Sequence, residues 1–514
     1  MDKFFWADKI ADDLIKTRQK AKPLATSPKR SQSKEKIYVC ASGITPSGTV
    51  HIGNFREVIT TDLVVRALKD KGKKVKFIYS WDDYDRFRKV PENVPENKKK
   101  EYEEYIGMPV SEVPSPFEKG KSYAKHFEEE FEKSLKRVGI KPFFIRQNEM
   151  NKKCKYAKLI KTAIDERKKI MKILDKYRKE PLEEDWMPFE IYCEKCGKDS
   201  TRVIKIDGYK IEYACSCGNK KTFDFRKKGI VKLKWRVDWP ARWKYWKVDF
   251  EPGGNDHSVE GGSYTTGKEI VKEVYDYEAP MYVMYDFVSV KGAEGKMSKS
   301  KGNVLTLEDV EEIYEPEIAR YLFVGTRPNK GFEISFDNDV IKIYEDYDEL
   351  ERKYYEKEAD PQEKRIYELS RLKVSKTKPE KISFRHMVTL IQTGKANGLK
   401  GANKIRAEKA KNWIEEYAGE DMKFEIKSKI EIPLTEKQKE AFIALKESLK
   451  VNDYNEDKLL NEFYNISNAV GLDMKEFFET AYSMIIGKRK GPRLAALISA
   501  VGKEKIIKLL EQIK

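Results

Sequence analysis

The sequence predicts an α/β protein: a parallel sheet interrupted by a cysteine-bearing insert, followed by an all-helical C-terminal part. Three observations carry that expectation. Residues 37–81 run strand, glycine-containing loop, helix, strand, which is the βαβ unit of a parallel sheet. Four of the six cysteines fall between Cys193 and Cys217, in a stretch that breaks the α/β rhythm. From about residue 340 the apolar residues recur only at helical spacing.

Residues 1–36 read as a basic amphipathic lead-in, with Ala7, Ile10, Ala11, Leu14 and Ile15 at helical intervals. Ile37–Cys40 is a short β-prone run that ends in a loop over 41–48, punctuated by Gly43, Pro46 and Gly48. A helix is predicted over 51–70, with Phe55, Val58, Ile59, Leu63 and Ala67 on one face, and a second strand over Val75–Trp81. Residues 91–119 read as loop, Phe117–Val138 as a helix, Pro142–Arg146 as a strand, and 153–180 as one very basic helix. The insert spans about 190–226. The α/β pattern resumes with strands near 231–235, 245–250 and 282–290, a helix at 267–277, and helices at 307–314 and 316–324. The expected domains are 1–36, 37–335 and 340–514, with the main boundary between 326 and 345.

Composition bounds the function. At roughly 100–200 residues per domain, 514 residues make about three to four folding units. Charged residues are 37% and the net charge is +17, which favours a polyanionic partner; tRNA, DNA and an acidic membrane surface all qualify. Aromatic residues at 12% argue against wholesale disorder. No apolar stretch approaches the ~20 residues of a membrane span. Met1–Asp8 lacks a basic segment followed by an apolar core, so no secretory signal is expected. Six cysteines do not make a disulfide scaffold, and a reducing, cytoplasmic setting is expected.

Three constellations carry the chemistry. Pro46-Ser47-Gly48-Thr49-Val50-His51-Ile52-Gly53-Asn54 lies between a predicted strand and a predicted helix. Free backbone N–H groups at such a junction attract phosphate, and glycine lets a nucleotide approach the backbone. No Lys-Ser/Thr follows Gly48, so this is not a P-loop. An ordinary βα turn capped by a histidine would read the same in isolation. The second is Gly295-Lys296-Met297-Ser298-Lys299-Ser300-Lys301-Gly302-Asn303, whose lysines can neutralise charge developing on a triphosphate. Gly253-Gly254-Asn255-Asp256-His257 adds glycines and a carboxylate suited to ribose hydroxyls.

HIGN and KMSKS, in that order on a parallel α/β pattern, resemble the signature pair of class I aminoacyl-tRNA synthetases. The resemblance implies a Rossmann-like catalytic domain in which His51, Asn54, Lys296 and Lys299 act on ATP. Asn54 stands where the family usually has a second histidine; it can donate to phosphate but carries no charge. By the same resemblance Pro46, Ser47, Gly48, Gly53, Gly254, Asp256, Met297 and Ser298 surround the nucleotide.

The amino acid follows from charge. Glutamate activators of similar type place an arginine a few residues before Pro46; the matching residue here is Ala41, which cannot replace a guanidinium. The second strand ends in Ser80-Trp81-Asp82-Asp83-Tyr84-Asp85-Arg86, and strand ends point into the ligand crevice. Carboxylates there suit a cationic substrate, Asp82 and Asp83 being the candidates. The string Tyr79–Pro91 and Trp235–Trp243 resemble class I lysyl-tRNA synthetases, the form common in archaea. That resemblance implies a lysine site near Gly43, Thr45, Trp235, His257 and Tyr285. Trp239 and Trp243 are expected in the core instead. Arginine is the competing cationic substrate.

Cys193-x2-Cys196 and Cys215-x-Cys217 are 18 residues apart, and two close thiolate pairs can assemble a structural Zn2+ site. The helical C-terminal part resembles an anticodon reader, with aromatics for unpaired bases and Lys/Arg for phosphates. Taken together, the resemblance implies a two-step ligase. ATP and lysine, with Mg2+, give lysyl-adenylate and pyrophosphate, and the lysyl group then passes to the 3′ end of tRNA(Lys). A monomer that engages no membrane is expected. Two rivals are an RNA-binding paralogue without catalysis and a small-molecule adenylyltransferase. Intact His51, Lys296 and Lys299 oppose the first; the C-terminal helices and the positive charge oppose the second.

Overall fold

A computed structural model describes residues 5–20, 36–292 and 304–513. Strands β1 (Ile37–Ile44), β2 (Lys74–Trp81) and β3 (Phe143–Arg146) come first. The insert follows with β4 (Phe189–Ile191), β5 (Thr201–Asp207), β6 (Lys210–Cys215), β7 (Lys220–Asp224) and β8 (Val231–Leu233). Strands β9 (Phe250–Gly254) and β10 (Met281–Tyr285) complete a five-stranded sheet of order β10-β9-β1-β2-β3, parallel throughout. The strand order reverses at β1: its helical crossover leads to β2 on one side, while β9 fills the other. A ligand crevice opens where the carboxyl ends of two such neighbours diverge.

The first crossover is helix Ile52–Asp70. It is buried nearly all round, Val64, Val65 and Leu68 as well as the predicted face, because helix Trp6–Lys20 and the sheet both pack on it. A helix apolar on every side belongs inside. Its buried Asp62 accepts from Arg320 at 2.7 Å and pairs with Arg66 at 2.9 Å. Arg320 also donates to the carbonyls of Val138 and Leu369, so one guanidinium ties four segments.

Several elements differ from expectation. β1 runs on to Ile44, through residues read as loop. Phe117–Val138 becomes a helix only at Tyr123, where Ser122 Oγ accepts from Lys125 N (3.2 Å). The single basic helix over 153–180 is two, Ala157–Asp165 and Arg167–Asp175, behind a short Gln147–Lys152, and Cys154 at φ +51° marks one break. Residues 235–246 form a helix that Pro240 hid, which pushes the strand expected at 245–250 to β9. The strand expected over 282–290 is divided: β11 (Val288–Val290) leaves the main sheet and pairs with β12 (Phe332–Ile334). The loop at 91–119 is packed, with Val94, Tyr102, Val110 and Val113 buried against Phe87, Tyr123 and Phe127.

In the insert, β4 and β8 pair antiparallel, Phe189 opposite Leu233 and Ile191 opposite Val231, and form the root. Between them β5, β6 and β7 make a separate antiparallel sheet.

The chain divides into two units: Met1–Glu311 with Ala319–Ile334 and Asp360–Leu372, and Glu312–Ile318 with Ser335–Ala359 and Lys373–Lys514. From Asp339 onward the described residues carry helices and no strands. The second unit buries Phe442, Leu445, Phe463, Phe477, Met484 and Leu497 in one core. Its helices start at capping residues, Thr435, Asn455 and Asp473, and two end on glycines with positive φ, Gly471 and Gly487.

Candidate active site

A cavity of about 550 Å³ opens at the carboxyl ends of β1, β2, β9 and β10. The phosphate-loop candidates reach it from the start of helix Ile52–Asp70. His51 is the N-cap, in extended conformation, and its N–H donates to Asn54 Oδ1 at 3.3 Å. Gly53 leaves room for the His51 ring: a Cβ there would lie 2.9 Å from it, and the ring would have to shift. His51, Gly53 and Asn54 all line the cavity, as do Gly254, Asp256 and His257 from the end of β9. Pro46 and Gly48 are buried and shape the loop, and Ser47 lines a neighbouring cavity of about 490 Å³. Lys296, Met297, Ser298 and Lys299 lie outside the described residues. The residues that follow them are placed: Leu305 O accepts from Ile52 N at 2.8 Å, and Thr306 bridges His51.

The amino-acid candidates Gly43, Thr45, Asp82, Trp235, His257 and Tyr285 also line this cavity. Trp235 stacks on Trp239 at 5.1 Å, and His257 sits 5.6 Å from Trp239. The spacing 235, 239, 243 puts one indole above the next on a helix face. Trp239 and Trp243 are buried, as expected of core residues.

The acidic cluster departs from expectation. Asp83 does not line the cavity; it accepts from Asn148 N at 2.7 Å beside Arg146, and burial pushes its carboxyl up to about 8. Asp82 faces the cavity but is already held. Arg242 forks onto it at 2.5 and 3.0 Å. Burial works against the Asp82 charge, yet a guanidinium does not give up its proton, so the pair is ionic. Asp85 accepts from Thr45 Oγ1 at 2.9 Å and pairs with Lys232 at 2.9 Å. Glu57, which the sequence reading missed, also lines the cavity. It accepts from Gly43 N at 2.9 Å and from the Tyr285 hydroxyl at 2.8 Å, and among the described residues it pairs with no cation. Burial pushes it up to about 8, although both hydrogen bonds pull the other way.

The four insert cysteines converge. Their Sγ atoms all lie within 4.8 Å of one another, with Cys193–Cys217 at 3.7 Å and Cys196–Cys215 at 3.6 Å. A tetrahedron with Zn–S of ~2.3 Å has edges of ~3.8 Å, so the donor set fits a closed Zn2+ site. Gly197 and Gly218, at φ +72° and +83°, make the left-handed turns that bring each pair round.

Residues 4–373 match the family model described as tRNA synthetases class I (K), and residues 407–514 match an anticodon binding domain. A lysine–tRNA ligase of Borrelia garinii is 46% identical over 97% of this chain and 100% of its own length. That of Borreliella burgdorferi is 45% identical over 96% and 99%. That of Pyrococcus horikoshii is 40% identical over 98% and 99%.

Proposed function

This chain belongs to the class I (K) family of tRNA synthetases, and from that premise we propose that it is a lysine–tRNA ligase. A lysine carboxylate oxygen attacks the α-phosphorus of ATP; the α–β bridging P–O bond breaks and pyrophosphate leaves. The terminal ribose hydroxyl of tRNA(Lys) then attacks the lysyl carbonyl, loses its proton, and AMP departs. Neither step needs a covalent enzyme intermediate, so catalysis rests on positioning and charge stabilisation.

One observation carries the choice of amino acid. Among Glu57, Asp82 and Asp85, which all face the cavity, the last two hold cations of the chain itself and Glu57 holds none among the described residues. An ammonium reaching Glu57 and Tyr285 would complete the missing pair. The substrate ammonium is therefore assigned to Glu57, with Asp82 as supporting charge and Asp83 behind the site. His51 and Asn54 take ATP phosphates, and Gly254 and Asp256 take the adenosine. Lys296 and Lys299 neutralise the triphosphate with Mg2+, while Met297 and Ser298 share that loop. Cys193, Cys196, Cys215 and Cys217 would hold Zn2+, which supplies a cross-link within the insert and no chemistry. The helical C-terminal residues take the anticodon.

ATP–pyrophosphate exchange, run across all amino acids, tests this reading. Exchange that depends on lysine alone is expected; exchange indifferent to lysine refutes it.

A further inference from the structure

Beside the cavity lies a buried charge network whose two cations, Lys232 and Arg242, the reaction as derived does not use. It holds three carboxylates, Asp82, Asp85 and Asp238, and two cations, Lys232 and Arg242. Lys232 and Asp238 have side chains 4% and 5% exposed. Burying such groups costs more in lost hydration than their attraction returns unless every proton finds an acceptor. Lys232 meets that condition: its ammonium reaches Asp85 at 2.9 Å, Asp238 at 3.0 Å and Leu233 O at 3.1 Å, one acceptor for each of its three protons. It has nothing left to offer a ligand.

Its effect passes through Asp85. One oxygen of that carboxylate faces Lys232, and the other accepts from Thr45 Oγ1 at 2.9 Å. Thr45 lines the cavity. A hydroxyl has one proton, and Thr45 has committed its own to Asp85, so only its lone pairs remain for the cavity. A hydroxyl fixed that way accepts from an ammonium group and has nothing to donate.

We propose that Lys232 is a positioning residue of the amino-acid pocket: by holding Asp85 it fixes the Thr45 hydroxyl as an acceptor and so favours a cationic ligand. This deepens the lysine assignment above and rests on it. It also gives the root of the insert a purpose, since Lys232 sits on β8, the strand that closes the insert.

The test is steady-state pyrophosphate exchange. Lysine-dependent exchange by the unaltered enzyme checks the underlying assignment first; its absence overturns that assignment. Given it, Lys232→Met raises the lysine KM roughly ten- to a hundredfold, the worth of a charge-assisted hydrogen bond. The ATP KM stays within about twofold. Lys232→Ala behaves alike, and added propylammonium restores its lysine KM. Thr45→Val raises the lysine KM by itself, and combining it with Lys232→Met adds little. A lysine KM unchanged in Lys232→Met, or lysine and ATP KM rising together, or Thr45 and Lys232 effects that multiply independently, overturns the inference. Should the Lys232 variants not fold, Thr45→Ser against Thr45→Val decides: retention in Ser with loss in Val supports it, and equal lysine KM in both overturns it.

Discussion

Replacing Glu57 by glutamine removes a charge and keeps the shape. Its carboxylate accepts from the Gly43 N–H and the Tyr285 hydroxyl, and glutamine's carbonyl can still accept one of these. What disappears is the attraction for a substrate ammonium. Truncating one partner of such a buried charge pair costs about 2–5 kcal/mol, or roughly 30- to 5,000-fold in lysine kcat/KM. The pH dependence carries a second signature. Burial raises the free Glu57 carboxyl to about 8, so at pH 7 only about a tenth of the enzyme presents the charge. The lysine side chain stays protonated to ~10.4. Lysine kcat/KM should therefore climb about tenfold per pH unit below about 8 and level off above it, while the ATP KM stays flat. The assay is pyrophosphate exchange at subsaturating lysine from pH 6 to 9, with Glu57→Gln measured alongside. The slope must vanish in the variant. A variant within about threefold of the unaltered enzyme, or a slope that survives it, would falsify the assignment.

Lys299→Ala should depress adenylate formation roughly 10²–10³-fold, as loss of one preorganised charge contact does; near-normal exchange would remove the lysine loop from the mechanism. Asp82→Asn leaves Arg242 buried with a weakened partner set and should destabilise the first unit by about 3 kcal/mol, read as a lowered urea midpoint; an unmoved midpoint contradicts the ionic pairing. Prolonged chelation should open residues 190–226 to proteolysis while ATP protection of the rest persists; cleavage unaffected by the chelator would argue against a Zn2+ cross-link.

The backbone of the site was legible because its signals are local. A glycine-bearing loop between a strand and a helix is written in consecutive residues, and so are the two cysteine pairs. Partners from distant segments were not. Arg242 is 160 positions from Asp82 and Lys232 is 147 from Asp85, so no periodicity links them. Only the need of buried carboxylates for counter-charge could have prompted the search. Glu57 was hidden otherwise: on a helix buried on nearly every side, one acid reads as a surface position. The helix Trp235–Trp246 was obscured by Pro240, although indoles four residues apart already spelled a helical face.

The helix Pro361–Ser370 has a practical bearing. It lies past the point where composition turns wholly helical, yet it belongs to the first unit. Arg365 reaches back to Asp8 with two bonds of 2.9 Å, and the Leu369 and Arg371 carbonyls receive Arg320 and Arg66. Anyone trimming the gene at residue 340 to obtain a minimal activating enzyme would strip those carbonyls away and strand a wholly enclosed arginine. A shortened version that keeps these contacts has to run through residue 372.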